Sequence, residues 1–96
     1  MPPASELISV IVTTYNRPPA LLACLRSLQD QLDRNFEILI ADDGSGEATR
    51  QLIERESKAS PIPIRHIWHE DKGFRAGTIR NKAAAAATGN YLLFMD

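Results

Sequence analysis

Residues 7–12 read LISVIV, and the polar segment Thr13-Thr14-Tyr15-Asn16-Arg17 follows directly. This nearly continuous aliphatic run is rich in β-branched residues, which favours a strand buried on both faces over a half-exposed one. Strands of that kind occur in parallel sheets whose two faces are covered by helices. The stretch therefore predicts the first strand of an α/β fold, with polar side chains where the strand ends.

Three further aliphatic runs continue this pattern along the chain. They are residues 36–41 (FEILIA), Ile64–Trp68 (IRHIW) and Tyr91–Met95 (YLLFM). The first of them is stopped by an acidic turn, DDGSG, at residues 42–46, and the second is shorter and has mixed faces. We therefore predict three more strands, each with polar residues after it.

A helical pattern lies between each pair of predicted strands. After Pro18 and Pro19, either of which suits a first helical turn, leucines recur at helical spacing at positions 21, 22, 25, 28 and 32. A weaker pattern begins near Glu47 and ends before the prolines at positions 61 and 63. Five consecutive alanines favour a third helix over residues 78–88, which Gly89 is predicted to end as a left-handed cap.

The order β-α-β-α-β-α-β predicts the fold class, a three-layer α/β architecture. In it, a mostly parallel sheet of about four strands is covered by alternating helices through right-handed connections. The chain has 96 residues, which is enough for one small core and too short for two domains. We assign residues 1–6 to a leader and residues 7–96 to part of a single domain.

The charge balance argues against nucleic acid as a partner. The chain carries 11 basic and 12 acidic side chains, and no block of like charge stands out. Cys24 is the only cysteine, which excludes an internal disulfide framework and favours a reducing compartment. Residues 1–6 lack the basic start and the long apolar run of a signal peptide. We therefore expect a cytoplasmic protein.

Hydrogen-bonding or acidic residues follow all four predicted strands. Ligands of open parallel sheets bind outside the carboxyl ends of the strands, where loops and helix N-termini converge. The acids at these ends are Asp42, Asp43, Glu70, Asp71 and Asp96. In one crevice they would repel each other unless a divalent metal or a base with an N–H group lies among them. A uracil N3–H, with a diphosphate bridged by Mg²⁺ or Mn²⁺ to a second carboxylate, would meet both needs.

Four strings of sequence carry a resemblance to a known family. They are residues 9–17 (SVIVTTYNR), 38–45 (ILIADDGS), 77–83 (GTIRNKA) and 89–96 (GNYLLFMD). In order and spacing they resemble the start of glycosyltransferase family 2, and the likeness covers almost the whole chain from Leu7 onward. Each string alone is weak evidence, but four in register on four strand ends form a specific signal.

This resemblance implies a fold, an activity and a cofactor. The implied fold is the GT-A fold, as its N-terminal half. The implied reaction transfers a sugar, with inversion, from a nucleotide-diphosphate donor to an acceptor hydroxyl. A UDP-sugar is the expected donor, and a saccharide or lipid-linked molecule is the expected acceptor. Mg²⁺ or Mn²⁺ would be held by an Asp-x-Asp motif that Asp96 opens.

The resemblance also implies which residues contact the nucleoside. Thr13 and Tyr15 would line the pocket for it. Asp43 would accept a hydrogen bond from the uracil N3–H, while Asp42 would support the loop that carries Asp43.

A second part of the resemblance concerns the third helical connection. Arg80 would lie close to the nucleotide and the metal carboxylates, with Asn81 as a supporting hydrogen-bonding residue. Ile79 stands where the family usually has alanine. The loop at residues 69–75 (HEDKGFR) resembles the chondroitin-polymerase-like branch, which points to UDP-linked hexoses or N-acetylhexosamines.

The resemblance places the remaining machinery after Asp96. The family's general base, acceptor loop and second metal acid follow the equivalent of this residue, so no catalytic residue is assigned within the chain. We expect the 96-residue piece to keep most of the nucleoside pocket but not to turn over substrate alone. Parts of a longer protein outside this chain could associate it with the inner face of a membrane.

Simpler structural roles remain open for several of these residues. Asp42 and Asp43 could cap the second helix and shape a turn. Thr13 and Asn16 could satisfy backbone groups before the first helix, and this is the preferred interpretation of Asn16. Arg80 could be a solvated surface charge.

Further side chains have simple interpretations or none. Tyr15 could be an aromatic residue at the edge of the core with its hydroxyl in water. His66 is predicted to be a hydrogen-bonded packing residue, because no second histidine or cysteine stands at metal-binding spacing. Cys24, among the leucines of the first helix, is predicted to be a small buried apolar residue. The roles of His69 and Asp71 are left open.

Other functional classes fit the same fold less well. A receiver-like signalling domain needs paired acids after the first strand, whereas here they follow the second. A dinucleotide-binding oxidoreductase needs Gly-x-Gly-x-x-Gly after the first strand, where this chain has TTYNRP at residues 13–18. A non-catalytic α/β interaction module remains an alternative.

Overall fold

The computed structural model describes residues 7–31 and 33–95, which form four strands and three helices. In chain order these are β1 (Ile8–Thr14), α1 (Pro18–Gln29), β2 (Phe36–Asp42), α2 (Glu47–Ala59), β3 (Ile64–Trp68), α3 (Ala76–Ala86) and β4 (Tyr91–Met95). None of these helices is both long enough and apolar enough to cross a lipid bilayer. The predicted alternation of strands and helices is confirmed, whereas the leader, Leu32 and Asp96 lie outside the described residues.

The four strands form one parallel sheet in the order β3-β2-β1-β4. β1 pairs with β2 along its whole length, from Ile8 opposite Phe36 to Thr14 opposite Asp42. Its other edge pairs with β4, where Val12 lies opposite Met95. The ends of β1 and β2 therefore coincide, and the polar residues that follow them emerge side by side. The predicted α/β class with a parallel sheet is confirmed.

Side chains of alternate residues in β1 and β2 pack into two separate cores, one on each face of the sheet. The face that packs against α1 and α2 buries Val10, Val12, Leu21, Leu25, Leu28, Phe36, Ile38, Ile40, Leu52, Ile53 and Ile62. The face that packs against α3 buries Ile11, Leu39, Ala41, Ile79 and Ala83. Both faces of β1 and β2 are therefore buried, as the continuous aliphatic runs predict.

The third helix begins and ends two residues earlier than its alanine run predicts. It spans Ala76–Ala86, and Ala87 is already extended at its C-terminal cap. Helix propensity alone would continue through all five alanines, but the chain must become extended there to enter β4. Ala83 is fully buried in the core beneath α3, where its small side chain lets the helix lie close to the sheet.

Gly89 is not the left-handed cap that its position after the alanines predicts. Among the described glycines, positive φ angles occur at Gly44 and Gly73 and not at Gly89. A Cβ atom at Gly89 would lie 2.6 Å from both the Leu7 carbonyl oxygen and Ser9 Oγ. A glycine is required there because β1 passes close to it, so the physical reason is steric rather than conformational.

A buried carboxylate ties the amino-terminal ends of β1 and β2 to the segment after α3. Glu37 Oε2 accepts hydrogen bonds from Ser9 Oγ at 2.6 Å, from Thr88 N at 2.7 Å and from Thr88 Oγ1 at 2.8 Å. Burial alone would raise the pKa of Glu37, but these bonds and the charge of Arg65 outweigh it and lower the pKa below its ordinary value. The carboxylate is therefore held in its charged form.

We expect Glu37→Gln to destabilise the fold by about 1–3 kcal/mol at pH 7, because a charged acceptor is lost from buried donors. A carboxyl whose pKa is lowered by folding stabilises the protein above its unfolded-state pKa of about 4.3, and that contribution is lost as pH falls through the folded-state value. The difference between the two proteins in urea unfolding should therefore shrink at about pH 3. Glu54→Gln, at an exposed acid on α2, is the control. A difference that stays constant with pH would contradict this role of Glu37.

The turn after β2 packs directly under the loop that follows β3. Gly44 has a φ angle of 87°, and a Cβ there would lie 2.5 Å from the Asp71 backbone nitrogen and Cα. Gly73 has the same φ angle, but a Cβ there would meet nothing within 4 Å. Gly44 is therefore needed for two reasons, its backbone angle and the close approach of the loop, whereas Gly73 is needed only for the first.

Comparison of Gly44→Ala with Gly73→Ala separates these two reasons. We expect Gly73→Ala to cost about 1–2 kcal/mol, which is the penalty for a left-handed alanine. Gly44→Ala should cost about 1–3 kcal/mol more, because the loop must move to admit the methyl group. Urea unfolding of both variants measures the difference. Equal costs would show that the loop does not depend on contact with the turn.

Candidate functional site

The order of the strands places a crevice at the carboxyl end of β1. β2 pairs with one edge of β1, and β4 pairs with the other edge. The connection that leaves β1 and the connection that enters β4 therefore diverge between these two strands. Ligands of open α/β sheets bind at such a point. A cavity of about 570 Å³ opens there, between the end of β1, helix α1 and helix α3.

Four of the six predicted nucleotide contacts surround this cavity. They are Thr13 and Tyr15 after β1, Asp43 after β2 and Arg80 on α3. The rest of the lining consists of Val12, Thr14, Arg17, Ala20, Leu21, Cys24, Ala41, Phe74, Ala76 and Ile79. Asp42 and Asn81 are not part of the lining. The structure thus brings two arginines, the phenol and one carboxylate together, within apolar walls.

Asp42 has a structural position beneath the turn. Its side chain is fully buried, and its Oδ1 accepts a hydrogen bond from Ser45 N at 2.9 Å. Its Oδ2 lies 2.7 Å from His66 Nε2. The carboxylate thereby holds the turn that carries Asp43, and His66 is hydrogen-bonded as predicted.

Asn16 closes the same turn from the side of β1. Its backbone has a φ angle of 46°, a conformation that asparagine tolerates better than most residues. Its Oδ1 accepts a hydrogen bond from Gly46 N, and its own N–H donates to Ser45 Oγ, both at 2.8 Å. Asn16 therefore has a structural contact, but its side chain satisfies a backbone group before α2 and not, as predicted, one before the first helix.

Asp43 is the carboxylate of the cavity, although its side chain is only slightly exposed. Its Oδ1 lies 2.5 Å from His69 Nε2, and its Oδ2 accepts a hydrogen bond from Arg75 N at 2.7 Å. Burial alone would raise the pKa of Asp43, but the bonds from Arg75 and His69 outweigh it and lower the pKa. Asp43 is therefore a charged acceptor, and each oxygen keeps a second lone pair for a ligand.

Tyr15 and Asp71 form a contact at the mouth of the cavity. Tyr15 is 46% exposed, and its hydroxyl donates to Asp71 Oδ2 at 2.7 Å. The hydrogen bond to Asp71, together with the negative charge of that carboxylate, raises the pKa of the Tyr15 phenol. The phenol therefore remains protonated and joins the end of β1 to the loop after β3.

Thr13 and Arg80 lie on the side of the cavity next to β4. Thr13 Oγ1 donates to the Met95 carbonyl oxygen at 3.5 Å, and the guanidinium carbon of Arg80 lies 5.9 Å from the centre of the Phe94 ring. An arginine over an aromatic face is held by a cation–π attraction. Both predicted residues are thus fixed against the strand that leads to Asp96.

Sequence reasoning missed the role of His69. This buried side chain contacts Asp43 on one side and Lys82 on the other, where Lys82 Nζ lies 3.3 Å from His69 Nδ1. The position of His69 directly after a predicted strand was the available signal, since it marked the residue as one near the crevice. The partner could not be read from the sequence, because Asp43 is 26 positions away.

The described residues do not by themselves assemble a metal site. No group of three or more histidine, cysteine, aspartate or glutamate side chains among residues 7–31 and 33–95 is arranged to hold a metal ion. The predicted metal ligand, Asp96, lies outside the described residues. The metal prediction therefore gains no support from the geometry of this part of the chain.

Two curated relatives are about one-third identical to this chain over the aligned residues. A validoxylamine A glucosyltransferase of Streptomyces hygroscopicus subsp. limoneus is 35% identical over 94% of the chain, which corresponds to 20% of that enzyme. The chondroitin synthase of Escherichia coli is 34% identical over 93% of the chain and 13% of its own length. The chain thus spans a fifth or less of the length of these two relatives.

Solved structures share the fold. S. aureus TarS 1-349 in complex with UDP-GlcNAc superposes with a TM-score of 0.74 at 31% identity, over 95% of this chain and 26% of that one. The mannosyltransferase PcManGT from Pyrobaculum calidifontis, in complex with GDP-Man and Mn²⁺, gives a TM-score of 0.75 over 96% of this chain and 28% of its own. At 23% identity, the second likeness concerns the fold alone.

A match to a family model covers nearly all of the chain. The model described as Glycosyl transferase family 2 matches residues 9–96, which include every residue that lines the cavity. The similarity to the validoxylamine A glucosyltransferase and the chondroitin synthase agrees with that assignment. The chain belongs to glycosyl transferase family 2.

Proposed function

We propose that this chain supplies the donor-nucleotide site of a glycosyltransferase that transfers a sugar from a UDP-sugar to an acceptor hydroxyl with inversion. The observation that carries the proposal is the Asp43 carboxylate, which lines the cavity at the carboxyl end of β1 and is held charged. A charged acceptor with free lone pairs suits a base that presents an N–H group.

The base would lie between the ends of β1 and β2. Uracil presents its N3–H to an acceptor, and Asp43 is the carboxylate that faces the cavity. Thr13 and Tyr15 would form the wall beside the base, where the Tyr15 ring offers an apolar surface at the cavity mouth. The TarS structure with UDP-GlcNAc is a precedent for a uridine donor on this fold.

The anionic part of the donor would lie towards α1 and α3. Arg17 and Arg80 both line the cavity, and Arg80 approaches β4 through its contact with Phe94. Guanidinium groups match phosphate oxygens in charge and geometry. Within this proposal, Arg80 neutralises a diphosphate and orients it towards the end of β4, with Asn81 as a supporting hydrogen-bonding residue.

A divalent cation belongs to the proposal through Asp96. Mg²⁺ or Mn²⁺ would be bound by this carboxylate, after β4, and by an acid that follows it in a longer protein. When bound, such an ion stabilises the charge of a leaving diphosphate. The described residues contribute no ligand cluster of their own, so their roles in this proposal are confined to binding and orientation of the donor.

The acceptor and the cellular location belong to the proposal as well. An acceptor hydroxyl would attack the anomeric carbon in line with the departing diphosphate, assisted by a general base outside this chain. A saccharide or a lipid-linked molecule is the proposed acceptor. The donor is a cytoplasmic metabolite in this proposal, and the protein would work in the cytoplasm or at the inner face of a membrane.

The test is calorimetric titration of the full chain with UDP in the presence of Mn²⁺. We expect Asp43→Asn to weaken UDP binding about ten- to hundredfold, since a bond to a charged acceptor contributes about 1.5–3 kcal/mol. Glu54→Gln removes one negative charge from the exposed face of α2 and should leave the affinity unchanged. Equal binding by wild type and Asp43→Asn would remove Asp43 from the nucleoside pocket.

A further inference from the structure

Three side chains in contact connect the surface of α3 to the carboxylate of Asp43, which lines the cavity. Lys82 Nζ lies 3.3 Å from His69 Nδ1, and His69 Nε2 lies 2.5 Å from Asp43 Oδ1. His69 is buried and does not line the cavity, so it reaches a ligand only through Asp43. These contacts connect three elements of the fold, namely α3, the loop after β3 and the turn after β2.

The donors and acceptors along these three side chains follow when Lys82 is an ammonium group and the ring of His69 is neutral. An ammonium group has donors and no acceptor, so His69 Nδ1 must accept the bond from Lys82. The ring proton of a neutral His69 then lies on Nε2, where it points at Asp43 Oδ1. Lys82 thereby selects the form of His69 that donates to Asp43.

The second oxygen of Asp43 is fixed independently. Arg75 N donates to Oδ2 at 2.7 Å, so the carboxylate is held at both oxygens and cannot rotate about its axis without losing a bond. The two bonds also keep a nearly buried carboxyl charged, against the effect of burial. The carboxylate is therefore held in one orientation by the two bonds, and Asp43 lines the cavity.

We propose that His69, oriented by Lys82, is a positioning residue that holds Asp43 as a pure hydrogen-bond acceptor and so makes the cavity select uracil over cytosine. This inference rests on the proposed function, because it assigns His69 and Lys82 to the same nucleotide site. Uracil offers an N–H donor at N3, whereas cytosine has a lone pair at N3. A charged acceptor attracts the first and repels the second.

Loss of the His69 bond changes what Asp43 can do. Without this donor, the effect of burial on the carboxyl is less opposed, and a neutral carboxyl becomes easier to form. A neutral carboxyl can donate a hydrogen bond to cytosine N3. The expected signature is therefore a reduced preference between the two bases, which a general loss of stability would not produce.

His66, which lies close to His69 in the sequence, provides a matched control. His66 bonds to Asp42 at 2.7 Å, much as His69 bonds to Asp43; His66 lies within β3, and His69 directly follows that strand. Asp42, however, does not line the cavity. Replacement of His66 by leucine therefore removes a comparable histidine–aspartate bond. It leaves in place the bonds to Asp43 from His69 and Arg75, and the bond from Ser45 N by which Asp42 holds the turn.

The experiment compares UDP and CDP binding by calorimetry, with Mn²⁺, in the full-chain wild type, His69→Leu, His69→Gln, Lys82→Met and His66→Leu. We expect His69→Leu to weaken UDP binding about ten- to hundredfold and to reduce the UDP/CDP preference by a similar factor. His69→Gln should restore both, because its amide can place an N–H donor near the position of Nε2. Lys82→Met should lower the preference by about three- to tenfold. His66→Leu should leave it unchanged.

The possible results separate this inference from the proposed function. No UDP binding by wild type would overturn both. UDP binding that depends on Asp43, with an unchanged UDP/CDP preference in His69→Leu, would overturn the role of His69 alone. An equal fall of the preference in His66→Leu would show that any buried histidine–aspartate bond has this effect. If His69→Leu does not fold, an unchanged preference in Lys82→Met, which alters an exposed side chain, would overturn the inference in its place.

Discussion

The pairing of β1 with β2 is the constraint on which the rest of the molecule depends. The two strands run in parallel and in step, so Thr14 lies opposite Asp42 and both strands end at the same level. Because their side chains are buried on both faces, a shift of register by one residue would move each apolar side chain to the wrong core. The core thus fixes the register, and the register sets where the polar ends of the strands meet.

Buried carboxylates at both ends of this strand pair follow one physical rule. A carboxylate that leaves water must find donors, or it becomes neutral. Glu37 meets Ser9 and Thr88 at one end of β2, and Asp43 meets Arg75 and His69 at the other. The first set joins distant parts of the chain, while the second surrounds a carboxylate that lines the cavity. The two carboxylates therefore differ in their surroundings and not in the type of interaction that holds them.

Periodicity and topology made much of this structure predictable from the sequence. The four strands, the parallel sheet and the position of the crevice follow from aliphatic runs and the rule for open sheets. Details that depend on contacts between residues far apart in the sequence could not be predicted in this way. Gly89 is set by its approach to β1, and the role of His69 is set by a partner in another loop. Local patterns carry no information on such approaches, so both required the three-dimensional structure.

The structure also changes the argument for a metal ion. Several carboxylates at the strand ends predict a cation among them, because like charges in one crevice repel. In the described part of the chain, however, the protein's own donors meet these acids, with His66 at Asp42, His69 at Asp43 and Tyr15 at Asp71. Each of these three acids thus has a hydrogen-bond donor of the protein as a partner. What remains for a metal is the side of β4, so the case for Mg²⁺ or Mn²⁺ rests on Asp96 and on membership of the family.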